Sequence, residues 1–176
     1  MNLKLKRTPG IYVVGFMASG KSTVGRHLAH RLGWNFFDTD DEIEAAEKMA
    51  ISEIFATRGE GEFRRIEAEI LRQHVRWIER GRPAVVALGG GAFADAQNRQ
   101  VLAENGISVW LDCPFDVVQR RVAKSAHRPL ARDAEHFAAL YAARRECYAQ
   151  ADVHIPIESD EPEVTVEAIV QHPVLR

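Results

Sequence analysis

The sequence predicts a three-layer α/β domain in which a five-stranded parallel sheet carries helices on both faces. Short apolar segments alternate with longer helical patterns along the chain, and that alternation is typical of parallel strands joined by crossover helices. The chain has 176 residues, of which 46% are hydrophobic, and this suits one compact domain with a substantial core. We therefore expect a single domain over residues 1–176, with its core at residues 11–170.

Five short apolar segments are predicted to form the strands, because each is bounded by glycine, acidic or proline-containing turns. They lie at residues 11–14, 35–37, 84–88, 107–111 and 153–157. Sheets of this kind bind their ligands beyond the carboxyl ends of the strands. Polar motifs follow several of these strands, so we expect a single active site at that edge.

Helical patterns occupy the intervals between the strands. The first begins at Lys21 and ends at Gly33, a residue type common just after a helix. Ser52 is the predicted cap of a short helix, and Asp95 begins a later one. The predicted helices cover residues 21–32, 41–49, 52–55, 62–79, 95–106, 115–123, 135–149 and 161–171. Residues 125–133 are predicted to form an exposed loop.

A phosphate-binding loop is predicted at residues 15–22, where GFMASGKS fits the pattern G-x-x-x-x-G-K-[ST]. Glycines let backbone N–H groups wrap around a phosphate, and the helix that begins near Lys21 adds its positive end. Lys21 would reach the β- and γ-phosphate oxygens, and the Ser22 hydroxyl would ligate Mg²⁺. A strand before the loop and a helix after it argue against a chance match. The predicted ATP contacts here are Ala18, Ser19, Gly20, Lys21, Ser22 and Thr23.

Three further motifs each have a functional and a structural interpretation. In DTD at residues 38–40, one carboxylate could support Mg²⁺ and the other could orient an acceptor hydroxyl, although Asp40 could instead cap the next helix. Residues 63–67, FRRIE, offer arginines to an anion or form an exposed helix face with Arg–Glu pairs. The triple glycine at residues 89–91 suits backbone that approaches a ligand closely, and a plain loop is the alternative.

Taken in order, these motifs resemble those of the shikimate kinase family, and the resemblance extends from about residue 11 to residue 168. The matching segments are residues 15–23, 38–40, 53–55 (EIF), 62–67 (EFRRIE), 89–91 and 128–130 (RPL). The resemblance implies a five-stranded sheet of the nucleoside-monophosphate-kinase type. It also implies transfer of the γ-phosphoryl group of ATP, with Mg²⁺, to the 3-hydroxyl of shikimate in aromatic amino-acid biosynthesis.

The same resemblance implies how the acceptor is bound, within a region at about residues 38–67 and by residues further along the chain. Asp40 would hold the shikimate hydroxyls and act as base or orienting group, and Arg64 would pair with the carboxylate. Arg144 would be a second carboxylate-binding arginine, with its neighbour Arg145 left open as the alternative. The implied acceptor-binding residues are Asp40, Arg64, Glu67, Gly90 and Arg144, with Phe55 and Phe63 as pocket walls.

On the nucleotide side, the resemblance implies that Ser22 ligates Mg²⁺ directly and that Asp38 supports the ion. Arg128, in a lid at about residues 125–133, would reach the γ-phosphate and act in catalysis with Lys21 and Asp40. Arg120 would lie against adenine, with the loop around Pro162 opposite.

Two departures from the family pattern stand out: Ala18 occupies a position where glycine is frequent, and residues 158–160 lack a basic residue found in some members.

Composition bounds the remaining classes of function. The net charge is −2 and the isoelectric point about 6.4, so no strong basic field is present to hold nucleic acid. No stretch is long and apolar enough to suggest a membrane span. Cys113 and Cys147 form no metal or disulfide motif and are expected to be reduced thiols. We therefore expect a cytoplasmic monomer that acts on small molecules.

Two alternative functions remain open from the sequence. Another small-molecule kinase with a phosphate loop, resembling gluconate kinase, would share the loop and the lid but would not need Asp40, Arg64 and the triple glycine together. A nucleotide-binding regulatory domain without catalysis is the second alternative. The absence of an N-K-x-D segment disfavours a GTPase.

Overall fold

The central sheet has five parallel strands in the order β2-β3-β1-β4-β5 in the computed structural model, which describes residues 10–125 and 133–176. The strands are β1 Gly10–Val14, β2 Asn35–Asp38, β3 Ala84–Ala87, β4 Ile107–Asp112 and β5 Val153–Pro156. Every neighbouring pair runs parallel. The predicted five-stranded parallel sheet is therefore confirmed, and each predicted strand has its counterpart.

The strand order places β1 at the centre of the sheet, between β3 and β4. Tyr12 of β1 lies opposite Val86 on one side and Ser108 on the other. All residues of β1 and β3 are buried, as expected for parallel strands covered on both faces. The chain first crosses from β1 to β2 and later reaches β4 on the other side of β1. Such a change of direction opens a crevice at the carboxyl ends of the strands.

Seven α-helices and a short 3₁₀ helix connect the strands within the described residues. They are α1 Lys21–Leu32, α2 Thr39–Glu47, α3 Ile51–Glu79, the 3₁₀ helix Ala92–Ala94, α4 Ala96–Asn105, α5 Phe115–Ala123, α6 Ala134–Tyr148 and α7 Pro162–Val170. α1 ends at Gly33, whose φ of 67° is the left-handed conformation that glycine adopts most easily. Packing pairs α1 with α7 and α3 with α4.

Helix α3 unites two helices that the sequence predicted separately, at residues 52–55 and 62–79. The two parts meet at Gly59, which is non-helical with φ 82° and ψ 169°. The kink lets the first part cover α2 while the second part runs on towards β3. Ile43 of α2 packs with Ile54, Phe63 and Ile66 of α3 in a small apolar cluster separate from the main core.

The main core lies on both faces of the sheet and is built mostly of strand residues and the inward faces of α1, α3 and α7. Fully burying one such aliphatic side chain contributes roughly 1.5–3 kcal/mol of stabilisation, so this cluster dominates the energetics of the fold. Within residues 10–125 and 133–176, no helix combines the length and apolar character that a membrane span requires.

Candidate active site

A cavity of about 540 Å³ opens at the carboxyl edge of the sheet. The predicted phosphate loop lines it through residues 18–23, and Asp38, Asp40 and Gly90 line it from the neighbouring strands. Its far end is formed by Arg121, Ser159, Asp160 and Pro162. The topology thus brings together motifs that lie up to about 140 residues apart in the sequence.

The phosphate loop has the backbone of an anion-binding turn. Ala18 and Gly20 have positive φ angles of 61° and 93°, and Gly20 stands just before α1 without a side-chain cap. The first N–H groups of α1 are therefore available to a phosphate. The ammonium group of Lys21 donates to the Phe16 carbonyl at 2.9 Å, which holds the side chain against the loop. The Ser19 hydroxyl is buried and has no hydrogen-bond partner among the described residues.

Phe16 ties the phosphate loop to helix α6. Its ring lies edge-on to Phe137, with the centroids 5.4 Å apart, and to Tyr141, at 5.2 Å. Both partners belong to α6, and Phe115 of α5 completes the aromatic cluster. These contacts fix the distance between the loop and α6 through packing.

Ser22 and Asp38 form the oxygen pair that the sequence assigned to Mg²⁺. The Ser22 hydroxyl donates to Asp38 Oδ2, and Asp38 Oδ1 accepts from the backbone N–H of Asp40 at 3.0 Å. Asp38, and not Asp40, is therefore the N-cap of α2. A hydroxyl and a carboxylate beside a phosphate loop fit Mg²⁺, which takes one or two protein oxygens together with phosphate and water.

The triple glycine at residues 89–91 packs directly against Asp40, Glu67 and Arg64. These three charged side chains belong to the region expected to bind the acceptor, which we call the acceptor side. A Cβ atom on Gly89 would lie 2.5 Å from Asp40 Oδ1 and 3.1 Å from Glu67 Oε2. A Cβ atom on Gly91 would lie 2.3 Å from Arg64 Nη2. Real Cβ atoms essentially never come within 3.0 Å of another atom, so a side chain at residue 89 or 91 would have to displace Asp40 or Arg64.

Arg64 and Glu67 form an ion pair at the wall of this region. Arg64 Nη1 donates to Glu67 Oε1 at 2.7 Å, and Glu67 is buried. Burial raises the pKa of Glu67, while the neighbouring Arg64 charge opposes that rise. The second carboxylate oxygen of Glu67 is buried and unpartnered among the described residues. The pair holds the Arg64 guanidinium in one orientation.

Asp40 lies between the phosphate loop and the acceptor side. Burial raises its pKa above the ordinary value of 3.8, the positive charge of Lys21 lowers it, and Asp38 adds to the rise. The net effect is a carboxylate more basic than an ordinary aspartate. Such a group is suited to accept a proton from a hydroxyl.

Phe55 and Phe63, the residues expected at the pocket wall, pack against each other, and neither lines the cavity described above. The rings of Phe55 and Phe63 lie 4.6 Å apart at an angle of 36°. Phe63 is buried, whereas Phe55 is 36% exposed. The Arg64 guanidinium carbon lies 5.1 Å from the centre of the Phe63 ring, so the wall and the arginine form one surface.

The two adjacent arginines of α6 point to different places. Arg144 lies one turn before Tyr148 on the same face of α6, and the Tyr148 hydroxyl donates to the Gly90 carbonyl. Arg144 therefore lies on the acceptor side, where its positive charge opposes the rise in the pKa of Glu67. Arg145 instead pairs with Asp112 at the end of β4. Of the two candidates left open by the sequence, the geometry favours Arg144.

Arg120 is the residue expected to lie against adenine, but the arginine of α5 that lines the cavity is Arg121. Arg121 lines the cavity and donates to the Ala18 carbonyl at 2.9 Å and to Asp160 Oδ1 at 2.7 Å. Arg120 is exposed and lines only a second, smaller cavity. The two residues are adjacent on α5, and their side chains leave the helix about 100° apart, so only one of them can face the phosphate loop.

Sequence reasoning also missed the role of Tyr148. Its hydroxyl donates to the Gly90 carbonyl at 2.5 Å, and burial raises its pKa, so it remains a donor. The signal available in the sequence was only its spacing of four residues from Arg144.

Arg128 and most of the predicted lid lie outside the described residues.

Comparisons with known proteins agree with this geometry. The family model for shikimate kinase matches residues 17–173. A shikimate kinase from Persephonella marina is 40% identical over 161 residues, which cover 91% of this chain and 96% of that protein. The structure of shikimate kinase from Acinetobacter baumannii in complex with shikimate has a TM-score of 0.86 and 34% identity, and covers 95% of this chain and 93% of that one. The Aquifex aeolicus shikimate kinase structure has a TM-score of 0.79 and 34% identity, with coverage of 92% and 93%.

Proposed function

This chain belongs to the shikimate kinase family, and from that membership we infer that it phosphorylates shikimate with ATP. The observation that carries the inference is that the cavity lined by the phosphate loop, Asp40 and Gly90 adjoins the Arg64–Glu67 ion pair, which packs against Gly89 and Gly91. A general phosphate loop would explain nucleotide binding alone. An arginine fork and a basic carboxylate beside it explain a small acidic polyol as the acceptor.

We propose the following roles for phosphoryl transfer. The 3-hydroxyl oxygen of shikimate attacks the γ-phosphorus, the bond to the β–γ bridging oxygen breaks, and ADP leaves. Asp40 orients that hydroxyl and receives its proton. Lys21 and the N–H groups at the start of α1 hold the phosphate oxygens. Transfer of this kind depends mainly on positioning and on charge stabilisation.

We propose that Ser22 and Asp38 hold Mg²⁺. When bound, the ion would neutralise charge on the β- and γ-phosphates. The existing hydrogen bond from Ser22 to Asp38 supports this assignment, because it keeps both oxygens at the mouth of the phosphate loop. Arg121 is proposed to contact the nucleotide in place of Arg120, and Arg128 to contact the γ-phosphate.

The acceptor carboxylate is proposed to bind Arg64 and Arg144. The Arg64–Glu67 ion pair supports this, because an arginine already fixed in orientation loses little freedom when it binds a carboxylate. The Gly90 backbone is proposed to meet the ring, and Phe55 and Phe63 to wall the pocket.

Activity as a cytoplasmic monomer, with no nucleic-acid or membrane partner, is proposed from composition and from the small-molecule site.

A turnover assay tests the function. With ATP and Mg²⁺, the protein is offered shikimate, gluconate and a nucleoside monophosphate, and ADP formation is followed. We expect shikimate alone to be phosphorylated at an appreciable rate, and Lys21→Ala to lose that activity mainly in kcat. Arg72→Ala, which removes a remote exposed cation of α3, is the control. If gluconate or the nucleotide is phosphorylated and shikimate is not, the assignment of shikimate as the acceptor is wrong. If nothing is phosphorylated, a regulatory nucleotide-binding domain is favoured.

A further inference from the structure

The last turns of α6 carry side chains that leave the helix in two directions. Arg144 and Tyr148, four residues apart, share the face of α6 that points to the acceptor side. Tyr148, one turn later, donates to the Gly90 carbonyl. Arg145 points away from the site, to Asp112 at the carboxyl end of β4. Any rotation of α6 about its own axis would move all of these groups at once.

Arg145 is anchored to the sheet by directional contacts. It forms a two-pronged pair with Asp112, in which Nη1 donates to Oδ1 and Nη2 donates to Oδ2 at 3.0 Å. Its guanidinium carbon lies 5.0 Å from the Trp110 ring centre and 5.7 Å from that of Tyr141. His154 of β5 also bonds to Asp112, at 2.8 Å. The Asp112 carboxylate that pairs with Arg145 is therefore held by β4, to which it belongs, and by His154 of β5.

This pair contributes little to stability by itself. The Arg145 side chain is 41% exposed and that of Asp112 is 13% exposed, and ion pairs this open to solvent contribute little to the free energy of unfolding. A two-pronged pair does, however, specify orientation, because both N–H···O bonds form only in one plane. The aromatic contacts of α6 with Phe16 set its distance from the phosphate loop without that directional requirement.

Small rotations of a helix matter at the tips of its side chains. A helix with its side chains is about 10–12 Å wide, so a rotation of about 10° moves a side-chain tip by about 1 Å. A displacement of that size at a binding group misaligns its hydrogen bonds to the ligand and weakens binding. Because Arg144 and Arg145 are consecutive, fixing the direction of one fixes that of the other.

We propose that Arg145 is a positioning residue for the acceptor: by its pair with Asp112 it fixes the rotation of α6 and so aims Arg144 at the acceptor carboxylate. The proposal rests on the proposed function, since it requires an acceptor that carries a carboxylate. In this proposal Arg145 makes no contact with the substrate. Arg145 acts only through Arg144, and that dependence distinguishes a positioning role from a general contribution to folding.

A double-variant cycle tests the proposal. Arg145→Gln and Asp112→Asn are each expected to raise KM for shikimate on the order of tenfold, with kcat and KM for ATP changed less than about twofold. In an Arg144→Ala background, Arg145→Gln is expected to cause no further rise in KM, because the group that it aims is gone. Arg145→Lys restores the charge without the fork and should recover only part of the affinity.

Arg65→Gln is the matched control. Arg65 follows Arg64 as Arg145 follows Arg144, and it too has a carboxylate partner, Glu62, at 2.7 Å. That partner lies on the same helix, so the pair cannot fix the rotation of α3 against the sheet. We expect KM for shikimate within about twofold of the wild-type value. Thermal unfolding of each variant reports whether the fold persists.

The outcomes separate this inference from the proposed function. An equal effect of Arg145→Gln with and without Arg144, or an equal rise in KM for ATP, overturns the positioning role while shikimate turnover by the wild type still supports the function. A wild-type protein that phosphorylates only acceptors without a carboxylate overturns both. Unchanged KM for shikimate in a folded Arg145→Gln variant overturns the positioning role alone.

Discussion

Gly91 shows how a single residue determines the acceptor side of the site. The guanidinium of Arg64 lies where a Cβ atom of residue 91 would be, at 2.3 Å from Nη2 and 2.5 Å from Nη1. The Arg64–Glu67 bond at 2.7 Å prevents the guanidinium from moving without loss of an ion pair. Backbone, arginine and buried carboxylate are therefore in mutual contact.

Replacing Gly91 with alanine should damage acceptor binding. The added methyl group would displace Arg64, and one hydrogen-bonded charged contact is typically worth about 1.5–3 kcal/mol, so we expect KM for shikimate to rise roughly tenfold to a hundredfold. KM for ATP should change little, because Arg64 lies away from the phosphate loop. Steady-state kinetics with each substrate varied in turn measures both constants.

Gly61→Ala provides the control for that experiment. Gly61 is an exposed residue of α3, and a Cβ atom there would meet nothing within 4 Å. Alanine is the better helix former by about 1 kcal/mol, so this variant should be at least as stable as the wild type and kinetically normal. Damage to ATP and shikimate binding in equal measure by Gly91→Ala would point to a collapsed loop and not to displaced Arg64.

Ala18 shows a residue that tolerates a departure from the family pattern. It has φ 61°, the left-handed region in which a side chain is disfavoured by roughly 1–2 kcal/mol. A glycine there would adopt the same backbone without that cost. The phosphate loop keeps its shape because neighbouring contacts compensate, among them the Arg121 bond to the Ala18 carbonyl.

At the scale of the secondary-structure element, the residues that cap the C-termini of helices differ in backbone conformation. The C-cap of α2 is Lys48, whose φ of 53° and ψ of 40° are left-handed. The C-cap of α3 is Arg80, whose φ of −79° stays near the helical region. Both residues are exposed. The two caps therefore form a natural pair for measuring the cost of the left-handed conformation.

Lys48→Gly should raise the free energy of unfolding by up to about 1 kcal/mol, because relief of the left-handed conformation exceeds the extra entropy of glycine in the unfolded chain. Arg80→Gly should lower it by about 0.5–1 kcal/mol, since it adds only that entropy. Urea titrations at constant m-value measure both. Equal destabilisation by the two substitutions would contradict a strained cap at Lys48.

At the scale of the whole molecule, the site lowers the stability of the fold that supports it. Asp40 is half-buried and Glu67 is buried, and desolvation raises the pKa of both carboxyl groups. A group with a raised pKa in the folded state binds its proton more tightly there. Ionisation then destabilises the folded protein as the pH rises through that value. Removing the charge of Asp40 should therefore stabilise the protein while damaging its chemistry.

Asp40→Asn should be more stable than the wild type at pH 7 by about 0.5–2 kcal/mol, the usual size of such gains, and should have very low turnover. The gain should shrink as the pH falls through the raised pKa towards 3.8, the ordinary value for the unfolded chain. Urea unfolding between pH 4 and 8 measures it. Glu158→Gln, at an exposed loop position, should show no such trend, and a gain independent of pH would contradict the buried-charge explanation.

The sequence by itself determined the five parallel strands, the phosphate loop at residues 15–22 and the groups that converge at the sheet edge. These features depend on local signals: apolar runs, glycine turns and helix caps act over a few residues. Even the limits of α1, at residues 21–32, follow from Lys21 after the loop and Gly33 at the end. The expected roles of Asp40, Arg64 and Gly90 follow from the resemblance of the motifs to the shikimate kinase family.

Only the tertiary structure decided which way adjacent arginines point: on α5, Arg121 and not Arg120 lines the cavity, and on α6, Arg145 pairs with Asp112. Neighbouring side chains leave a helix about 100° apart, and the helical pattern is the same whichever one faces inward. The choice depends on partners far away in the sequence, such as Ala18 for Arg121 and Asp112 for Arg145. Those contacts exist only after the strands have taken their order in the sheet, because that order sets what each helix packs against.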